Sequence, residues 1–457
     1  MKQYDFVFVY EVKNRELENI CLIRQELERR GYRVGFVETW NSMFHRSEPP
    51  RTQVAVSFAL YNDNTVGFIA SHISDCEKIV NLQWEQVFTN GNSGKETAKD
   101  GTLTASGVYG TARQAAHISW GKDNYQSLTQ WYHVAPSHVR IAGHVALDFL
   151  RPELKGYYLS REELLSKYAI PEEKKICLFI SSLSFANFPE ESLKSALFDN
   201  LGFDVAEYKA VSEQTQKSLV EWFERILSQR EDCIFIYRPH PAENSSKILE
   251  EVAARCPNFR VIGDLSVKQW ILTADQIYAW TSTSIAEIRA AGKGCGILRP
   301  VKIPHKADME IYKNAQFITD YETFAKSIDE ELSFPIPQQD FDMFYDIAPE
   351  RASYLRICDF LEEVYRNDEY RMPIPKRERS YSHLRAVAAN LRSWVMQRYI
   401  HTNWLQAILK KLHPERDIQA FVKEYEYNML MRKKNYSTEQ EINMILERIK
   451  STLSEQK

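Results

Sequence analysis

Residues 4–10, Tyr-Asp-Phe-Val-Phe-Val-Tyr, form a nearly continuous run of β-forming apolar side chains broken only by Asp5. A strand that is apolar on both of its alternating faces belongs inside a parallel sheet covered by helices on both sides. The next thirty residues fit that reading. Asn14-Arg15-Glu16 opens a helix, Leu17, Ile20, Cys21 and Leu27 recur at helical spacing, and Gly31 is placed to stop it. Residues 34–37 then read as the next strand. A strand, helix and strand within forty residues make a right-handed βαβ unit, and the spacing predicts further strands over 54–60, 65–69 and 78–82.

A second series begins after the polar, helical stretch 160–174. Strands are predicted over 176–180, 234–237, 259–262, 276–280 and 296–298, with an amphipathic helix over 214–229 that places Leu219, Trp222, Phe223, Ile226 and Leu227 on one face. For 457 residues the length prior is two or three domains at about 150 residues each. The expectation is therefore α/β, with two facing Rossmann-like domains over residues 1–152 and 153–335 and a helical extension over 336–457.

Composition narrows the function classes. Lys+Arg 58 against Asp+Glu 62 gives a net charge of -4, which does not suit a chain basic throughout for nucleic acid. Any basic surface must be local, and one is evident. Between Arg371 and Arg416 stand ten basic residues and two acidic ones, interleaved with Trp394, Tyr399, Trp404, Leu405, Ile408 and Leu409. Such a segment suits an anionic membrane surface, or a basic face whose apolar side is packed on the body. The seven cysteines are scattered and mostly set in apolar runs, as expected of reduced thiols in a cytoplasmic protein. No signal-peptide core and no run of about 18 apolar residues is present, so a visit to the membrane from the cytoplasmic face is the expectation.

Two segments carry chemistry. Arg238-Pro239-His240-Pro241-Ala242-Glu243 follows a buried strand, and the flanking prolines stiffen the backbone where open α/β sheets bind ligands. Arginine supplies a fixed cation for a phosphate, and the imidazole can donate a hydrogen bond or proton to a leaving oxygen. About forty residues on, Thr281-Ser282-Thr283-Ser284 joins a strand to a helix, with Glu287 one turn in. These hydroxyls suit an anion and Glu287 suits a ribose diol, while Ser284 and Glu287 also have the spacing of a capping box. Asp340-Phe341-Asp342 has metal-binding spacing but lies outside both predicted sheets, and no metal or other cofactor is expected.

The Arg-Pro-His-Pro motif with a Ser/Thr-rich turn and a Glu resembles the donor half of bacterial GT-B transferases that use cytidine nucleotides. These include CDP-glycerol glycerophosphotransferases, sialyltransferases with HP and SS motifs, and Kdo transferases. The opening residues 8–17, Gln83-Trp84-Glu85-Gln86 and His117-Ile118-Ser119-Trp120-Gly121 are similar to a branch of surface carbohydrate biosynthesis proteins. The resemblance covers about residues 1–330. It implies that His240 contacts the donor phosphate and assists departure of the nucleotide, that Ser282, Thr283 and Ser284 hold the same phosphate, and that Glu287 lies near the ribose. Arg238 holds the motif position, with a structural ion pair as its other reading. Ser181 and Ser182 end the first strand of the second half, where such folds place a loop over the phosphates. Gly143 resembles a hinge glycine that permits backbone approach to the donor.

An inverting transfer needs a base for the acceptor hydroxyl, and the family implies one from the N-terminal half. Glu85 and His117 are the candidates, with Glu11 a third. The function expected is transfer of a sugar or polyol phosphate from a CMP- or CDP-activated donor to a lipid-linked or polysaccharide acceptor in surface polysaccharide synthesis. The alternatives are a nucleotide-sugar epimerase or hydrolase on the same fold, and a non-catalytic assembly protein at the membrane.

Overall fold

The computed structural model describes residues 3–45, 47–91, 107–188, 201–244, 246–375, 383–415 and 417–454. Lys376, Arg377, Glu378, Arg379 and Arg416 of the basic segment lie outside the described residues. The first sheet contains β1 (Gln3–Tyr10), β2 (Val34–Glu38), β3 (Arg51–Ser57), β4 (Lys78–Asn81), β5 (Ala116–Ser119) and β6 (Val139–Ile141). The second contains β7 (Lys175–Ile180), β8 (Cys233–Arg238), β9 (Phe259–Val261), β10 (Gln276–Ala279), β11 (Gly296–Leu298) and β12 (Phe317–Ile318). Every pairing in both sheets is parallel. The architecture is the expected pair of Rossmann-like α/β lobes with a helical extension.

Strand order locates the binding edges. The first sheet runs β2-β1-β3-β4-β5-β6 and the second β12-β11-β10-β7-β8-β9. The order reverses between β1 and β3 in one sheet and between β7 and β10 in the other, and ligands of open α/β sheets lie beyond the carboxyl ends of strands at such a reversal. Both sheets are buried on two faces: Phe6, Val7 and Phe8 of β1, and Cys177, Leu178 and Phe179 of β7, are at most 1% exposed.

Two local expectations are corrected. Residues 65–69 are not a strand; they lie in a helix, Asp63–Ser71, fixed by a reciprocal capping box between Asn62 and Thr65. The segment around His117 is not a loop; residues 116–119 are β5, paired with β4 and β6.

The extension wraps back onto the first lobe. Helix Ser353–Arg366 inserts Ile357, Phe360, Leu361 and Val364 into the core that holds Phe6 and Phe8. The fully buried Lys78 donates to the carbonyls of Val364 (2.8 Å) and Tyr365 (2.9 Å), which satisfies a cation that burial alone would make costly. The last helix, Glu439–Ser454, adds Ile442, Leu446 and Ile449 to the same core. The two lobes also touch directly, where Asn90 and Gly91 donate backbone N–H groups to the carbonyls of Asp308 and Lys306, both at 2.8 Å.

Candidate active site

The site is built at the carboxyl ends of β7, β8 and β10. Register puts Ile180 beside both Arg238 and Ala279, so the three chains leave the sheet at one level. Ser182 and Thr281 touch there, the Thr281 N–H donating to Ser182 Oγ at 3.3 Å.

The His240 loop is held by a residue whose role its sequence position did not disclose. The Glu243 carboxylate accepts from Ser181 Oγ (2.6 Å), from the Tyr237 hydroxyl (2.6 Å) and from the His240 backbone N–H (3.1 Å), while the Glu243 N–H donates to the His240 carbonyl (2.8 Å). A carboxylate with three donors fixes the turn better than a neutral acceptor could. The two prolines leave His240 little backbone freedom within it. The Ala242 N–H then donates to His240 Nδ1 at 3.1 Å. That bond assigns the neutral tautomer with its proton on Nε2, the nitrogen left for a ligand. The loop is exposed at its rim, but crowding in the cleft strips water from the ring and pushes the imidazole below its ordinary value. Glu85 opposes this shift and Lys434 adds to it.

The hydroxyl turn is set by Tyr312. Its hydroxyl donates to the Ser282 carbonyl (2.7 Å) and accepts from the Ser282 N–H (3.1 Å). Ser282 Oγ in turn accepts from the Ser284 N–H at 3.2 Å. The expected capping box does not form: the helix is only Ile285–Ala290, and the Ser284 side chain makes no capping bond. Thr283 is exposed, and the buried Thr281 hydroxyl has no hydrogen-bond partner. Glu287 is half-buried with Lys268 near it, and burial raises its carboxyl above the usual range.

Across the cleft, the Gln83–Gln86 loop presents Glu85. Gln83 has a left-handed backbone (φ 39°), and its side chain donates to the Glu85 carbonyl at 3.1 Å. Gln86 donates to Ile118 O (2.8 Å) and accepts from the Trp120 N–H (2.7 Å). Both glutamines are buried, so the loop is pinned from beneath and the Glu85 side chain, 64% exposed, projects outward. Arg15 bridges Glu85 to the buried Glu16. Glu11 completes this acidic group, its carboxyl raised by burial and then by Glu16. The extension supplies a cation: Lys434 donates to the Pro241 carbonyl at 3.2 Å, within the histidine loop itself.

Four sequence-derived site residues have other roles. His117 is 1% exposed, with Nε2 donating to Ala112 O (2.9 Å) and Nδ1 accepting from Asn81 (3.2 Å). Both nitrogens are engaged in the core, so it is no general base. Arg238 spends its guanidinium on the carbonyls of Asp264 and Leu265, clamping a loop in which Leu265 has φ 62°. Gly143 (φ 76°) faces Ser353, Arg356 and Asp346, where a Cβ would lie 2.5–2.6 Å from their atoms; its constraint is packing against the extension. Ser181 Oγ is committed to Glu243 and Tyr237. Asp340 and Asp342 bond Asn314 (2.9 Å) and Gln338 (2.6 Å) respectively.

The buried His117 has a measurable consequence. Burial holds its pKa at about 4 against 6.5 for the free side chain. The unfolded chain therefore binds the proton first as pH falls. Stability from this group is complete above pH 6.5 and is lost towards pH 4, roughly 3 kcal/mol in all. Burial pushes His144 down to about 3, so it acts in the same direction. Denaturant titrations at pH 7 and pH 4.5 should show the loss, and His117→Gln should make the slope shallower while lowering stability at pH 7.

No family model matches this chain, and no curated protein sequence is similar to it. Solved structures do match. A variant of the wall teichoic acid polymerase TagF aligns with a TM-score of 0.50 at 10% identity, over 80% of this chain and 89% of that one. MnaA of S. aureus, solved with UDP, aligns with a TM-score of 0.45 at 12% identity, over 80% and 97%. UDP-GlcNAc 2-epimerase from Methanocaldococcus jannaschii aligns with a TM-score of 0.46 at 13% identity, over 79% and 100%. At such identities the likeness, carried by the polymerase match, is one of fold: this chain has the two-lobed GT-B architecture.

Proposed function

We propose that the chain is a transferase that moves a sugar or a polyol phosphate from a CMP- or CDP-activated donor to a surface-polysaccharide acceptor. The observation that supports it is that the His240 loop and the 281–284 turn leave the second sheet at one level on either side of β7, each tied to the end of that strand, through Ser181 and Ser182 respectively, with Glu85 of the other lobe close enough to act on the His240 charge. The cytidine assignment rests on the resemblance of the Arg-Pro-His-Pro and hydroxyl motifs.

In this reading the donor phosphate lies against His240 Nε2–H, the hydroxyls of Ser282, Thr283 and Ser284, and the Lys434 ammonium, and no metal is needed to offset its charge. Glu287 is assigned to the ribose. The acceptor oxygen attacks, its proton passes to Glu85, and the bond between the transferred group and the bridging phosphate oxygen breaks. The negative charge left on the nucleotide is met by donors already in place. Closure of the lobes keeps water from taking the acceptor's place.

Thermal shift with CMP, CDP, UDP and GDP tests the donor assignment. Cytidine nucleotides are expected to raise the melting temperature most, and a preference for UDP overturns the assignment. Product formed from donor alone, with no acceptor, favours the epimerase or hydrolase instead.

A further inference from the structure

The transferase cleft leaves one surface without a role. Helices His383–Tyr399 and Asn403–Leu412 pack on helix Ile418–Asn435 through a small core of Met396, Ile400, Leu405, Leu409 and Val422. Their outward sides are apolar as well. Leu384, Val387, Leu391 and Trp394 follow one another at steps of three and four residues along the first helix, and all are exposed, Leu384 to 81%. Trp404, Ile408 and Leu412 form the matching row on the second, with Leu412 66% exposed. Ring contacts join the rows across the turn: Trp394 to Tyr399 at 6.3 Å and Tyr399 to Trp404 at 5.8 Å. The result is one apolar patch, larger in character than the isolated exposed side chains of an ordinary surface.

Charge identifies what covers it. Residues 383–412 contain five Lys or Arg and no Asp or Glu, although the whole chain carries -4. Arg385, Arg392, Arg398, Lys410 and Lys411 are all exposed, and the Arg398 guanidinium lies over the Trp394 ring at 5.9 Å. A second copy of this face would bring five like charges against five. A layer of anionic head groups over hydrocarbon meets both features, attracting the cations and receiving the leucines, with tryptophan and tyrosine at the boundary. Among the described residues no helix is long and apolar enough to cross a membrane.

We propose that this helical hairpin docks the protein on an anionic membrane surface. The proposal is independent of the reaction assigned to the cleft. It is tested by flotation of the full chain with phosphatidylglycerol/phosphatidylcholine vesicles and with phosphatidylcholine vesicles alone. Binding to the anionic vesicles is expected, weakening as salt rises. Arg392→Gln combined with Lys411→Gln should lower the partition coefficient on the order of thirtyfold. Trp394→Ala combined with Trp404→Ala should lower it by about tenfold or more. All four side chains are at the surface, and an unchanged circular dichroism spectrum checks that the variants fold. Absence of vesicle binding, or equal binding to neutral and anionic vesicles, overturns the proposal. So does a concentration-dependent dimer in sedimentation that these substitutions abolish, since the face would then belong to a second copy.

Discussion

His240→Ala is expected to lower the turnover number by about 10²–10³-fold, the usual loss when one preorganised donor to a developing oxyanion is removed. The tautomer of the ring sets this effect. Nδ1 is occupied by the Ala242 N–H, so the neutral ring offers Nε2–H and nothing else to a phosphate. Loss of water around the ring, with Lys434 nearby, holds the pKa below the ordinary histidine value, so the neutral form is favoured at neutral pH and the contact should not vary with pH from neutrality upward. The variant should fold normally, because Glu243 keeps its bonds to Ser181 and Tyr237 and the side chain removed is exposed. Steady-state kinetics with saturating donor and acceptor checks this, and retained turnover would remove His240 from the reaction.

Glu85→Gln should lower turnover by about 10²–10⁴-fold, the range for loss of a positioned general base, and leave donor affinity unchanged. Glutamine preserves the shape of the loop and can still accept from Arg15, so the substitution removes the base and little else. Arg15 keeps its pairing with the buried Glu16. Single-turnover transfer and donor titration on the same preparation separate the two quantities. Glu11→Gln is the comparison: a larger loss there than at Glu85 would move the base to the end of β1.

The parts of the fold that are legible in the sequence are those with a single physical cause. β1, β7 and β8 are apolar on both faces, and only a doubly covered parallel strand suits that pattern. β5 is hard to read because His117 and Ser119 alternate with Ala116 and Ile118, and two polar residues in four resemble a loop. Once the strand is missed, a core histidine looks like an accessible base. The helix Asp63–Ser71 reads as a strand because Thr65, Val66, Phe68 and Ile69 favour strands; the competing signal is the Asn62 and Thr65 capping pair. Arg238 stands out as a motif residue, but its partners depend on the path of residues 262–265, which local sequence does not set. Lys434 lies 193 residues from the carbonyl it meets, and no spacing rule connects them. Glu243 is in plain view three residues after His240, yet its three bonds depend on the strand ends that bring Ser181 and Tyr237 to the same loop.

In the proposed reaction one nucleotide-linked phosphate sits between the His240 loop and the 281–284 turn and faces Glu85. A crystal structure of the protein soaked with a cytidine diphosphate donor tests it directly. A phosphate oxygen is expected within hydrogen-bond distance of His240 Nε2, with the serine hydroxyls on its other side. Density for the donor elsewhere in the molecule, with that space empty, would contradict it.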